Sequence, residues 1–271
     1  APALTTGSYN SVVGSQVAES MTGSQNVIMG FSTANNLTTG SSNIALGSSA
    51  LRGNVTSKLT GSYNTGIGHQ TGFNLTTGQH NLLSGSQAGY DLSTGQHNVL
   101  QGYRAGYNVT TASNTIAIGR QAMQSGVTTG TDNTAIGMMA GNGLTSGQYN
   151  FIAGRSAGSR ITTGQHNVAI GNNALQGASG SSATFNIALG DQAGKSVTTA
   201  QGNTLLGHQT GMEIQTGGYN VAAGYRSLEG TTTGSNNIVF GQEAAKNNTS
   251  GSDNIGIGRN ALMGNSTSKL T

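Results

Sequence analysis

The sequence predicts an all-β fold, a parallel β-roll or β-solenoid of about fifteen rungs of 17 residues. Three observations lead to this prediction. A pentapeptide of the form Asn-apolar-small-apolar-Gly, as in Asn167–Gly171, recurs along the whole chain. Ten of the fourteen steps from one of its glycines to the next are 17 residues long. This length suits two short strands and two tight turns better than two helices. The apolar triplet inside the motif has the length and the β-branched bias of a strand.

Composition excludes several other classes of protein. Of 271 residues, 45 are glycine, 7% are charged, none is cysteine, and the one proline is Pro2. Collagen is excluded because no Gly-X-Y triplet persists, and disorder is disfavoured because the apolar residues fall in fixed columns. The net charge of +3 is small and its cations are scattered, so we expect no nucleic-acid partner. Disulfides and thiolate metal sites are impossible, and no apolar run has the roughly 18 residues of a membrane span.

An asparagine ladder and a column of turn glycines are expected to organise the stack. Equivalent positions of stacked rungs lie about 4.8 Å apart, so the asparagines can hydrogen-bond to one another and satisfy polar groups of the turn. The anchor glycine, which ends each motif, supplies a positive φ without steric cost. A second glycine, usually in a Thr-Thr-Gly turn, lies seven residues earlier. The residues predicted for this structural ladder are Asn81, Asn98, Asn133, Asn150, Asn167, Gly85, Gly102, Gly137, Gly154 and Gly171.

The repeat predicts a single array over residues 1–271. The longer steps place extra residues near 52–60, 123–126 and 177–182, always outside the Asn-to-Gly motif. Because insertions are tolerated in loops, we expect loops at these three places.

The two ends of the chain suggest a larger assembly. The sequence Ser57–Thr60 recurs as Ser268–Thr271, at the point where the next rung would begin. Solenoids generally need polar end caps, and none is visible there. We therefore expect this array to be a segment of a longer fibre.

The two predicted strands of each rung differ in their surroundings. The first is apolar at all three places in most rungs, as in Val168–Ile170, and such a strand is covered on both faces; Ser84 and Gln101 depart from this pattern. The second, as in Arg155–Ala157, should have one face in water. A lone chain would expose a continuous apolar stripe, which soluble monomers rarely do. We expect a closed cyclic assembly, in which three chains would complete a compact core and two stay open as an alternative.

The motif resembles known repeat families. Asn133–Gly137 and Asn167–Gly171, each followed by x-x-Ala, are similar to the head repeats of trimeric autotransporter adhesins and to repeats of phage tail-fibre-like proteins. The resemblance runs from about Thr5 to Met263. It implies a left-handed parallel β-roll, a homotrimer of chains side by side, and a role in attachment.

The candidate contact surface is a group of aromatic and arginine residues. Phe73, Tyr90, Tyr103, Arg104 and Tyr107 fall within a few rungs, just after the anchor glycine. Such side chains on a polar surface suit contact with a glycan or protein receptor. The alternative is a decorated corner without a partner.

Other patterns give weaker signals. His80 and His97 should stack about 5 Å apart, but a metal site would need more ligands, so we expect no metal. Thr-Thr pairs such as Thr76 and Thr77 are similar to ice-binding arrays, yet they abut a turn glycine. No carboxylate recurs with serine and histidine at a fixed offset, so we expect neither an enzyme nor a cofactor.

The sequence therefore favours an extracellular structural fibre or adhesin segment on a virion or cell surface. It would act as a rigid spacer and a multivalent attachment element. The alternative is a self-polymerising extracellular filament, whose strand edges pair with other copies. An ice- or carbohydrate-binding monomeric solenoid is a weaker alternative, and the stoichiometry in solution distinguishes the three.

Overall fold

The computed structural model of the protein describes residues 6–54 and 56–264. Two compact units, Ala1–Asp132 and Asn133–Thr271, divide the chain. All regular elements in the described ranges are strands. The first unit contains β1 Ser11–Ser15, β2 Val27–Phe31, β3 Ile44–Leu46, β4 Thr65–Ile67, β5 Leu82–Ser84, β6 Val99–Gln101 and β7 Ile116–Ile118. The second contains β8 Thr134–Ile136, β9 Phe151–Ala153, β10 Val168–Ile170, β11 Ile187–Leu189, β12 Thr204–Leu206, β13 Val221–Ala223, β14 Ile238–Phe240 and β15 Ile255–Ile257.

Within each unit the strands pair in chain order, in parallel and in register. The central residues Ala169 and Ala188 are partners between β10 and β11, and Leu83 and Leu100 are partners between β5 and β6. Each strand is thus one side of a rung, and its neighbours in the sheet are the equivalent strands of the rungs before and after it. This confirms the predicted all-β parallel β-solenoid.

Three inward columns make the core of both units. The middle residue of each strand is the first column, and Ala169 is fully buried there. A small residue three places after the anchor glycine is the second, as at Ala174 and Ala88. The third column is the apolar residue that opens the Leu-Thr-Thr-Gly segment, such as Leu75, which is also fully buried. A core this thin buries its side chains only because every rung is covered by the next.

A fourth position adjusts the volume of the core. Four residues after the anchor glycine, Leu51, Met123, Leu175 and Leu228 are buried in rungs whose strand centre is alanine. Glycine takes this place in the rungs centred on Leu83, Leu100, Ile152 and Leu205, and a Cβ on Gly89 would lie 3.1 Å from Leu83 Cδ2. It also takes this place beside small strand centres, at Gly72, Gly141 and Gly194, so the two columns exchange volume in some rungs only.

The prediction of a second strand is wrong. Residues such as 155–157 and 191–193 lie in a run of turns and bends. Their backbone still bonds to both neighbouring rungs, because Gln87 N–H donates to His69 O at 2.8 Å and Gly89 N–H donates to Ala105 O at 2.9 Å. These two N–H groups donate in opposite directions, to the preceding and to the following rung, in a stretch where φ turns positive at every second residue, as at Gln87 and Gly89. The small residue is buried as expected, but within a turn.

Most of the left-handed backbone positions are not glycine. In each rung φ is positive two residues after the anchor, as at Gln87 (59°), and immediately before the asparagine, as at His80 (56°). Such conformations cost non-glycine residues roughly 1–2 kcal/mol each. Hydrogen bonds between rungs compensate, since His80 N–H donates to Ser62 O at 3.2 Å.

The two glycine columns have different physical reasons. The anchor Gly154 has φ +130°, whereas the Thr-Thr-Gly glycine Gly78 is not at positive φ. Gly78 is needed for close approach instead, because a Cβ there would lie 2.4 Å from Gly95 O.

The described residues of the three loop regions, 52–54, 56–60, 123–126 and 177–182, lie outside the strands. Isolated parallel bridges join the stack within the first and third regions, Leu37 with Leu59 and Ile161 with Ser181, and just after the second, Val109 with Thr128. The sequence repeat at Ser268–Thr271 lies outside the described residues.

Candidate functional site

The predicted asparagines form a buried ladder in each unit. Asn150 donates from its backbone N–H and from Nδ2 to Asn133 Oδ1 at 3.1 and 3.0 Å. Asn167 makes the same two bonds to Asn150 Oδ1 at 3.1 and 3.0 Å. Nδ2 of Asn150 also donates to Gly164 O in the following rung at 2.9 Å. Each amide thus joins three rungs and pairs the buried polar groups of the corner.

The first unit has the same ladder. Asn98 bonds to Asn81 Oδ1 at 3.0 Å through both its N–H and its Nδ2. At the next rung Thr115 N–H still donates to Asn98 Oδ1 at 2.9 Å, but its hydroxyl donates to Ser113 O at 3.3 Å. A threonine at this place therefore keeps the backbone bond to the preceding asparagine but has no side-chain amide to donate.

An exposed apolar surface runs over the strands of each unit. We call the first and third residues of β2–β7 and of β8–β15 the outward strand face. In β10, Ile170 is 40% exposed whereas Ala169 is fully buried, so the two side chains lie on opposite sides. The exposed large apolar residues of this face are Val27, Met29, Ile44, Ile67 and Leu82 in the first unit, and Ile136, Phe151, Ile170, Ile187, Leu189, Leu206, Val221, Ile238, Phe240, Ile255 and Ile257 in the second. Exposed apolar patches of this kind are typical of interaction surfaces.

The candidate contact residues lie together in the first unit. Phe73, Tyr90 and Tyr107 form an aromatic ladder, with ring centroids 5.0 and 4.9 Å apart and interplanar angles of 4° and 3°. Arg104 Cζ lies 5.3 Å from the rings of both Tyr103 and Tyr107. Because the rings cover one another, the ladder presents edges and hydroxyl groups rather than open faces.

The middle phenol of this ladder has a raised pKa. Burial raises the pKa of the Tyr90 phenol, Tyr107 and Asp91 raise it further, and Arg52 opposes them. Tyr90 therefore stays protonated at neutral pH as a hydrogen-bond donor. Arg52 Cζ lies 5.2 Å from the Phe73 ring, at the other end of the ladder.

Removing the middle ring of the aromatic ladder is expected to lower stability. Tyr90→Ala deletes two ring contacts, each worth about 0.5–1.5 kcal/mol beyond the buried area, so we expect a loss of roughly 1–3 kcal/mol. Tyr103→Ala is the matched control, because Tyr103 is 45% exposed and contacts Arg104 rather than a stacked ring. Urea unfolding followed by circular dichroism measures both, and equal losses would contradict this assignment.

Histidines stack in the position before the asparagine. The His80 and His97 centroids are 5.0 Å apart, as the rung spacing predicts, and Tyr63 lies 4.9 Å from His80. In the second unit the rings of Tyr149, His166 and Phe185 stack in the same way. Within the described residues, no group of three or more His, Asp or Glu side chains could hold a metal ion.

A cluster of ion-paired side chains lines a cavity of about 330 Å³ in the second unit. Arg226 bonds to Glu229 through Nε at 2.7 Å and Nη2 at 2.9 Å. Lys246 Nζ lies 3.2 Å from Glu243 Oε1. Arg226 Nη1 also lies 3.7 Å from Glu243 Oε1, and Lys246 Nζ lies 4.0 Å from Glu229 Oε2, so the cluster joins neighbouring rungs.

The threonine columns bind the chain itself. Thr76 Oγ1 donates to Ser93 O at 3.1 Å, and Thr162 Oγ1 donates to Ser181 O at 3.2 Å. The first threonine of these two pairs therefore donates its hydroxyl proton to the next rung. This geometry does not favour an ice-binding array.

These features define the class of the protein as a parallel β-solenoid built from short repeats. Comparison of the chain with family models, curated proteins and solved structures finds no match in any of the three. No helix in the described part of the chain could cross a membrane.

Sequence reasoning missed several of these features. It did not identify that the strand centre and the residue four places after the anchor glycine fill the same part of the core. The change between leucine and glycine at the second of these positions was visible in the sequence. It named the aromatic residues without finding that their rings cover one another. Because Phe73, Tyr90 and Tyr107 share one column in successive rungs, their proximity could have been inferred, but not the overlap of their rings.

Proposed function

We propose that the chain is a structural fibre segment that associates side by side with copies of itself through the outward strand face. The extracellular surface of a virion or cell is the proposed location, and a rigid spacer that carries attachment sites is the proposed role. The observation that carries this proposal is the exposure of large apolar side chains on the outward strand face, for example Ile170 at 40% and Phe240 at 40%. No catalytic step is assigned to the chain.

A second copy is the best-fitting occupant of this face. The apolar side chains of this face repeat at the rung spacing of about 4.8 Å. A second copy of the chain has the same spacing, so the two faces match in period. Full burial of one large apolar side chain is worth about 1.5–3 kcal/mol, so residues left about 40% exposed retain roughly 1 kcal/mol each. The eleven in the second unit then give on the order of 10 kcal/mol from each partner, against an association cost of about 4–15 kcal/mol.

Three chains are the proposed stoichiometry. A closed ring covers every face, whereas an open arrangement leaves one exposed. The resemblance to trimeric adhesin heads supports three chains and a left-handed coil. Parallel copies would also present each surface site three times, which raises avidity without new contacts.

The aromatic ladder and its arginines are the proposed receptor-contact surface. Tyr103 is 45% exposed and Arg104 lies between two rings. The partner would be a glycan or protein that binds ring edges, phenol hydroxyls and guanidinium groups. Flat stacking of a sugar on the middle ring is disfavoured, because Tyr90 is covered on both faces.

Charging the outward strand face is expected to dissociate the assembly. For the wild-type chain, sedimentation equilibrium should give the mass of three chains. Ile170→Glu buries a carboxylate in an apolar contact, so its mass should fall to one chain at the same concentration. Thr163→Glu adds the same charge at an exposed turn position and should leave the mass unchanged.

Two outcomes would overturn this proposal. A wild-type chain that is monomeric at high micromolar concentration would remove the basis for side-by-side association. Filaments that lengthen with concentration would favour the polymerising alternative instead.

A further inference from the structure

The outward strand face of the first unit has a polar interruption. Its third-position column reads Ile67, Ser84, Gln101 and Ile118 in β4 to β7, and these residues are register partners in adjacent strands. Gln101 is exposed and Ser84 is half-buried. The polar pair thus lies in the same apolar column that the proposed function assigns to contact between copies.

A purely repetitive apolar face cannot fix the alignment of two copies. Sliding one copy by one rung, about 4.8 Å, again places apolar residues against apolar residues. Slipped contacts also fail to close and lead to open, staggered assemblies. Something other than hydrophobic burial must therefore select the aligned arrangement.

We propose that Ser84 and Gln101 are specificity-determining residues that set the axial register between copies of this chain. The inference rests on the proposed function, and it requires the third-position columns of the copies to meet. When the copies are aligned, carboxamides of equal height can donate to and accept from one another. A slip of one rung would already place the Gln101 carboxamide of one copy at the height of Ile118 of the other, where its polar atoms lose their partners. A polar residue in an apolar contact fixes register in coiled coils by the same physics, at a cost in affinity.

The chain contains no cysteine, which permits a direct test with one label per chain. Thr77→Cys, at an exposed turn position, carries a spin label in otherwise wild-type full-length protein. Distances between labels, measured by double electron–electron resonance, should form one narrow population in the aligned assembly. In the Ser84→Leu/Gln101→Leu background, the distances should split into two or more populations. The dissociation constant should fall by about tenfold or more, because apolar area replaces polar area.

The control is Ile67→Leu/Ile118→Leu, which changes two residues of the same column without changing polarity. It should keep the single distance of the wild-type background. An unchanged single distance in the Ser84→Leu/Gln101→Leu variant overturns the register role while leaving self-association intact. A wild-type chain that sediments as a monomer overturns both, so the two failures are distinguishable.

Discussion

Gly154→Ala is expected to destabilise the second unit by about 4 kcal/mol or more, or to prevent it from folding. Two effects add at this position. Its φ of +130° lies where L-residues are strained, and a Cβ there would lie 2.5 Å from Gly171 O and 2.7 Å from Gly171 C. The contacted atoms are backbone of the next anchor, so relief requires adjacent rungs to separate and to lose hydrogen bonds such as Gly171 N–H to Ala153 O at 2.8 Å.

Two control glycines separate strain from collision. Gly258 occupies the same motif position with φ +116°, and Gly180 has φ +80° in the loop of residues 177–182. A Cβ on either would meet nothing within 4 Å. Alanine at these sites should cost only the conformational term, about 1–2 kcal/mol. Urea midpoints and hydrogen exchange in β9 and β10 measure the difference. A Gly154→Ala variant no less stable than Gly258→Ala would refute the close-approach explanation.

The fold class could be predicted because a short repeat leaves few alternatives. A short, nearly constant period with an apolar triplet such as Val168–Ile170 specifies a stacked strand, and the parallel register follows from the stacking. The details of the turn could not be predicted, because propensity rules reserve left-handed backbone for glycine, asparagine and aspartate. Glutamine, histidine and tyrosine take it here, as at His80 and Gln87, because hydrogen bonds between rungs outweigh the local preference.

The candidate surfaces were predicted unevenly for a related reason. Outward apolar positions such as Ile170 followed from the period-two geometry of a strand. The aromatic ladder depends on side-chain rotamers, which a column assignment does not specify. Residues one repeat apart can stack only where their side chains also point the same way, as Phe73 and Tyr90 do. Three-dimensional geometry was therefore needed to learn that the ring faces are not available.

The second large effect is expected for Asn150→Ala, which breaks the buried ladder. The substitution removes the acceptor of the Asn167 N–H and Nδ2 groups, at 3.1 and 3.0 Å, and the donor to Gly164 O. Asn167 Nδ2 keeps its bond to Ala183 O at 2.8 Å, so Asn167 N–H and Gly164 O are the groups that lose their partners. At about 1–3 kcal/mol for each buried polar group left unpaired, we expect a total loss of roughly 2–6 kcal/mol.

Comparison with other substitutions tests whether the loss comes from the ladder. Asn172→Ala removes an exposed bond from Nδ2 to Asp191 Oδ1 at 2.8 Å and should change stability by less than about 1 kcal/mol. Asn150→Thr should be intermediate, since Thr115 keeps the N–H bond to the preceding asparagine but has no side-chain amide, and its hydroxyl donates to Ser113 O. Hydrogen exchange should report the loss first at Asn167 N–H, which donates to the deleted oxygen. If Asn150→Ala and Asn172→Ala shift the urea midpoint equally, the ladder does not hold the rungs together. The graded order would instead mean that one buried amide per rung stabilises the stack where the hydrophobic core is too thin to do so alone.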